Sequence, residues 1–171
     1  MHSRIHVSLE VSNLEESIAF YSRLFQSEPT KVRTDYSNFR LDKPGIHLAL
    51  VLTPNRTPEP MVGPGSNRHF GVELFSDETL QSWLTASKSA GLPIRVEDDV
   101  TCCYARANKF WARDPDGHNW EFWVRTAEAD SMHGAESENF QATESQCCAP
   151  SPAQKGVQVN APSCCPPNQC G

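Results

Sequence analysis

Apolar positions in this chain occur as short runs of two kinds, repeated in a fixed order. Residues 6–11 (HVSLEV) alternate as a half-buried strand does. Ser12 and Asn13, followed by Glu15 and Glu16, then give overlapping capping-box signals for a helix whose Leu14, Ile18, Tyr21 and Phe25 share one face. Three strand-like runs follow, at about 30–34, 37–41 and 46–53. Residues 54–67 (PNRTPEPMVGPGSN) carry four prolines and two glycines and predict a linker. The order up to that linker is βαβββ.

The same order returns beyond it. Residues 69–75 predict a strand. Ser76 or Asp77 caps a helix carrying Leu80, Trp83 and Leu84, with Gly91 as its stop and Pro93 just beyond. Strands at about 94–100, 104–113 and 119–125 complete a second unit, so the chain is two copies of one supersecondary module plus a tail. HVSLEV aligns with HFGVEL (69–74), and DKPGIHLALV (42–51) aligns with DPDGHNWEFW (114–123). In that register His6 matches His69, Glu10 matches Glu73, and Ala49 matches Glu121. The two glutamates suit a structural role, being equivalent within the repeat.

Composition separates the tail from the rest. From residue 127 onward the only aromatic residue is Phe140, and no apolar periodicity is sustained. Such a segment cannot offset the entropy of its own ordering and is expected to be disordered. The predicted organisation is therefore a domain at 1–126, with modules at about 1–53 and 68–126 and a linker at 54–67, followed by a tail at 127–171. Five carboxylates against Lys155 leave this tail at −4 of the formal net charge of −6. The folded part is thus close to neutral, and without a basic stripe no nucleic-acid partner is expected. Neither a secretory signal nor a membrane-crossing run is apparent, so a cytoplasmic protein without a membrane partner is expected. In a reducing compartment seven cysteines read as thiols, and their odd number fits poorly with complete pairing.

Two groups of residues carry candidate chemistry. The repeat register brings four strand positions toward a site shared by the modules, and they are filled by His6, His69, Ala49 and Glu121. Two imidazoles and one carboxylate form a set that leaves coordination positions open at ferrous iron, and the same set suits zinc, manganese or nickel. His47 and His118 fall outside the converging positions, although His118 is near enough to Glu121 in sequence for a supporting role; His2 and His133 belong to a terminus and the tail, where solvated roles prevail. The second group is the adjacent pair Cys102 and Cys103, between two strands of the second module. Two neighbouring thiolates make a soft chelator.

At these residues the sequence resembles the vicinal oxygen chelate superfamily of glyoxalases, bleomycin and fosfomycin resistance proteins and extradiol dioxygenases, over residues 1–126. The resemblance implies an α+β fold in which paired βαβββ modules form a metal cleft, with DPDGHNWEFW as the last strand bearing the metal-binding Glu. With Cys102 and Cys103 added, the chain resembles the Fe(II)-dependent carbon–arsenic bond lyases, which include cadmium-induced proteins. That resemblance implies His6, His69 and Glu121 as iron ligands, the two cysteines as holders of a trivalent organoarsenical, and dioxygen as co-substrate.

Methylarsenite keeps one bond to carbon and has two positions that exchange with thiols, so two cysteines satisfy it. Adjacent ones do so at low entropic cost. Cys147, Cys148, Cys164, Cys165 and Cys170 lie among Pro, Ser, Gln and Asn at spacings unlike a zinc finger, and suit an accessory role in metalloid capture. Two other readings stay open: a glyoxalase-like or thiol-transferase enzyme whose metal keeps its oxidation state, and a resistance protein that binds arsenic or cadmium without converting it. Monomer and homodimer are both compatible with the sequence.

Overall fold

A computed structural model describes residues 3–57 and 69–133. The first module consists of β1 (Ile5–Val11), α1 (Leu14–Phe25), β2 (Lys31–Val32), β3 (Tyr36–Leu41) and β4 (Ile46–Leu52). The second consists of β5 (Phe70–Leu74), α2 (Asp77–Ser89), β6 (Ile94–Cys102), β7 (Ala105–Arg113) and β8 (Asn119–Glu128). Each module forms one four-stranded mixed sheet, ordered β1-β4-β3-β2 and β5-β8-β7-β6, so the fold is α+β with the βαβββ repeat intact. The first strand of each module lies parallel to the last.

Caps place both helices where the sequence puts them. The Asn13 carboxamide oxygen accepts from the amides of Glu15 and Glu16, and its nitrogen donates to Glu16 at 2.8 Å. Ser76 accepts from the Thr79 amide at 3.2 Å. These bonds satisfy amides that the first turn leaves unpaired. The expected strand at 30–34 shrinks to Lys31–Val32. Both of its residues are exposed at the sheet edge, so little burial favours extending it. The last strand runs past the boundary at residue 126, to Glu128, and residues 129–133 continue with defined hydrogen bonds. The tail from 134 onward, with its five cysteines, and the linker from 58 to 68 lie outside the described residues.

The two modules share a core. Tyr21 and Phe25 of α1 meet Trp120 of β8 edge-on, with ring centroids 5.9 and 5.3 Å apart. Two carboxylates from the DPDG turn fasten the same seam. The Tyr21 hydroxyl donates to Asp114 at 2.7 Å, and the Ser12 amide donates to Asp116 at 2.9 Å. Burial, and then the Asp114 charge, push the Tyr21 phenol well above its ordinary range, so it stays a neutral donor. His118 also belongs to this seam: its Nδ1 lies 2.8 Å from Asp114 Oδ2 and its Nε2 3.4 Å from the Arg56 guanidinium. The supporting role toward Glu121 that its sequence position suggested is thus replaced by a structural one, because the turn points its ring at the module joint.

Candidate functional site

Alternation along β8 decides which residues are available for chemistry. Trp120, Phe122 and Val124 are buried beneath the helices, with Trp83 of α2 stacked on Phe122 at 4.9 Å. Glu121 and Trp123 therefore project from the opposite face of the second sheet. Pairing carries that face across the strands. Trp111 lies opposite Glu121 and Lys109 opposite Trp123, while Gly71 of β5 adjoins Glu121 on its other flank. The pairings of Glu97 with Lys109, Val100 with Ala107 and Cys102 with Ala105 extend the same face along β6. Cys102 and Glu121 consequently share one side of one sheet.

At the centre of this face His69 and Glu121 are in contact, Nε2 to Oε2 at 3.2 Å. The other carboxylate oxygen accepts from Lys109 Nζ at 2.9 Å, and both side chains of this ion pair are largely buried. His69 meets the Trp111 ring edge-on at 5.1 Å, and the Lys109 ammonium lies 5.6 Å from the same ring centroid. The Trp111 indole N–H is buried and makes no hydrogen bond to the protein.

Cys102 ends β6, and Cys103 with Tyr104 forms a two-residue turn into β7. Both turn residues have positive φ, 55° and 62°. The paired left-handed residues resemble a type I′ hairpin, whose twist suits antiparallel strands but normally calls for Asn or Gly. Holding non-glycine residues there costs on the order of 1–2 kcal/mol each. The result sets the two sulfurs 3.3 Å apart, with Cys103 exposed and Cys102 half-buried. Burial raises the Cys102 pKa, and the neighbouring Cys103 raises it further; Lys109 opposes the shift and Glu121 reinforces it. Those two influences also tie the thiol electrostatically to the Lys109–Glu121 pair.

The first module bears the equivalent face without the equivalent chemistry. His6 lies opposite His47, and their rings stack with centroids 4.7 Å apart. Ser8 lies opposite Ala49, as Gly71 lies opposite Glu121, so the repeat alignment holds residue for residue. His47 Nε2 lies 3.3 Å from the Asn38 amide nitrogen, which also donates to the Tyr36 hydroxyl. Burial first, then His6, Arg40 and Arg4, hold His47 below the ordinary imidazole pKa. The sequence reading set His47 aside, yet it is the immediate neighbour of His6.

The residues of the second module fit a metal in part. His69 and Glu121 present a nitrogen and an oxygen close enough for neighbouring corners of one coordination shell. His6 stands apart from them, and among the described residues no group of three His, Cys, Asp or Glu side chains is gathered to hold an ion. The seam explains why: α1 joins the modules on the Trp120 side of β8, whereas both imidazoles occupy the opposite faces of their sheets. Lys109 already balances the Glu121 charge within the chain.

Sequence reasoning passed over Lys109 and Trp111. The period of two along β7 puts them on one face, but only the β7–β8 register shows that this face holds Glu121. A cavity of about 460 Å³ between α1 and the Arg113–Pro115 turn is lined by Phe20, Arg23 and Asp114, all on the helix side and away from this chemistry.

Residues 4–122 match the Glyoxalase/Bleomycin resistance protein/Dioxygenase superfamily. The chain belongs to that superfamily. Among its relatives, the trivalent organoarsenical cleaving enzyme of Bacillus sp. (strain MD1) is 36% identical over 94% of this chain and 97% of its own length. The enzyme of the same name from Thermomonospora curvata is 33% identical over 95% and 99% respectively. The cadmium-induced protein CadI of Mycobacterium tuberculosis is 33% identical over 85% of this chain and 93% of its own. A glyoxalase/bleomycin resistance protein/dioxygenase from Alicyclobacillus acidocaldarius shares the fold, with a TM-score of 0.58 at 19% identity over 72% of this chain and 92% of that one. Among the described residues, no helix of this superfamily member is long and apolar enough to cross a membrane.

Proposed function

We propose that this chain cleaves the carbon–arsenic bond of trivalent organoarsenicals, with methylarsenite as natural substrate and trivalent aromatic arsenicals as larger ones, using Fe(II) and dioxygen in the cytoplasm. The observation that carries this reading is the pair of Cys102 and Cys103 sulfurs 3.3 Å apart, on the sheet whose face also bears His69, Glu121, Lys109 and Trp111. Two relatives that align along nearly their whole length bear the name of trivalent organoarsenical cleaving enzymes. That correspondence supports the substrate class.

The chain's own residues account for capture. Methylarsenite in its hydrated form carries two hydroxyl groups on arsenic. Exchange with two thiols forms two As–S bonds and releases two waters, the thiol protons leaving with the hydroxyls. Burial keeps the Cys102 proton in place until that exchange. Lys109, on the same sheet face and close enough to influence the Cys102 thiol, then stands as a fixed cation beside the chelated arsenical. Fe(II) is the metal implied by the family resemblance; His69 and Glu121, already in contact, would hold it together with His6, the third ligand that the resemblance implies, and it would supply dioxygen activation. The tail cysteines serve as accessory capture thiols in this reading.

Incubating the purified protein with methylarsenite, Fe(II) and a thiol reductant, with and without oxygen, tests the reading through speciation of the arsenic products. Arsenite should form only when both iron and oxygen are present. Turnover that persists without oxygen removes the oxidative mechanism. Methylarsenite retained intact under all conditions identifies a binding protein instead.

A further inference from the structure

Residues 129–133 carry no role in the reading above, and composition assigns them to the tail. Their backbone contradicts that assignment. After Glu128 pairs with Ala105 at the end of β8, the chain crosses the tip of the β6–β7 hairpin. The Ala129 amide donates to the Tyr104 carbonyl at 2.9 Å, and the Cys103 amide donates to the Met132 carbonyl at 2.8 Å. The Ser131 hydroxyl closes the crossing by donating to the His133 carbonyl at 2.7 Å. His133 finally lies opposite Cys102 in an antiparallel bridge. The bond from Cys103 to Met132 flanks that pair diagonally, the arrangement of a non-hydrogen-bonded pair, in which facing side chains approach most closely.

Both turn residues, Cys103 and Tyr104, therefore have a backbone group fastened by this crossing. They are also the residues held at positive φ without glycine. A turn of unfavourable backbone conformation persists only where its surroundings over-determine it. We infer that residues 129–133 form a latch that fixes the Cys102–Cys103 turn in the geometry for two-point chelation, making Ala129 and Met132 positioning residues of the thiol site. The inference rests on the proposed function only for the identity of the ligand. Its physical content is that a ligand needing both sulfurs depends on the latch, whereas a reagent needing one sulfur does not.

The test uses the full chain with Cys147, Cys148, Cys164, Cys165 and Cys170 replaced by serine, so that only the hairpin pair reports. Ala129→Pro removes the N–H that reaches Tyr104, and deletion of residues 130–132 removes the acceptor for Cys103. Phenylarsine oxide, which takes two thiols, is titrated by quenching of tryptophan fluorescence, and iodoacetamide alkylation at each cysteine is followed by mass spectrometry. Both variants should bind phenylarsine oxide at least tenfold more weakly, with alkylation rates within twofold and an unchanged circular dichroism spectrum. Unchanged arsenical affinity in the folded Ala129→Pro protein overturns the latch, and so does an equal loss in affinity and alkylation. A parent protein that binds phenylarsine oxide but releases no arsenite from methylarsenite removes the lyase reading and leaves the latch standing.

Discussion

The two sheets are built to the same register, and they differ where register places side chains on the open face. In the first, Ser8 pairs with Ala49 and the face holds stacked imidazoles and one amide, that of Asn38. In the second, Gly71 pairs with Glu121 and the face holds an acid, its lysine, an indole and two thiols. On the last strand of each module the helix-side positions stay apolar, Leu48 and Leu50 in one and Trp120 and Phe122 in the other, because close packing penalises change there in either copy. The opposite face, where Ala49 corresponds to Glu121, carries no such constraint. The duplicated fold has thus kept one scaffold and concentrated its reactive groups in one half, with His6 as the first module's counterpart of His69.

The largest effect expected from breaking this asymmetry is at sulfur. Cys102→Ser or Cys103→Ser should lower methylarsenite cleavage by at least a hundredfold while leaving the circular dichroism spectrum unchanged, since each variant offers arsenic a single thiolate. Lys109→Met should come next, destabilising the fold by roughly 3 kcal/mol in urea unfolding, because it leaves the Glu121 carboxylate buried beside a neutral group. The double variant Lys109→Met with Glu121→Gln should recover most of that loss. A double variant as unstable as the single one would show that the lysine contributes packing and not charge.

Metal affinity sharpens the comparison between the halves. In anaerobic equilibrium dialysis, His69→Ala and His6→Ala should each weaken Fe(II) binding at least tenfold if both modules supply ligands. Full binding by His6→Ala would confine the metal to the second sheet. Proton linkage gives a smaller, directional effect. The raised Cys102 pKa moves thiolate formation to higher pH than in an ordinary thiol, so Cys102 alkylation by iodoacetamide should climb at higher pH than that of a free peptide thiol. Lys109→Met, which removes the lowering influence, should move the curve higher still. The smallest change expected is Gly71→Ala: an added Cβ would meet Glu121 Oε2 at 3.7 Å and Trp123 Nε1 at 3.9 Å, ordinary contacts that should shift stability by less than about 1 kcal/mol.

Period and capping were enough to place the helices and the repeat, because those signals are local and the fold obeys them. The alignment of His6 with His69 and of Ala49 with Glu121 also survives in the strand pairing. What the sequence could not convey was cross-strand company. His47 is two residues from Ala49 and looks peripheral in the alignment, yet parallel pairing sets it against His6. Lys109 reads as an ordinary charge on a strand until β8 is laid beside it. His133 sits in a segment whose composition resembles a tail, while its backbone closes over the thiol turn. Composition reports burial poorly where main-chain hydrogen bonds carry the ordering.

Trp120 and Glu121 are successive residues facing opposite sides of one strand, the first gripped by Tyr21 and Phe25 and the second by His69 and Lys109. A substitution in the first helix therefore has a lever on the carboxylate through a single backbone step. Neither half of the repeat is free to drift by itself: tuning the reactive sheet by altering its supports means altering the opposite half of the gene, and the ancestral doubling has become an interdependence.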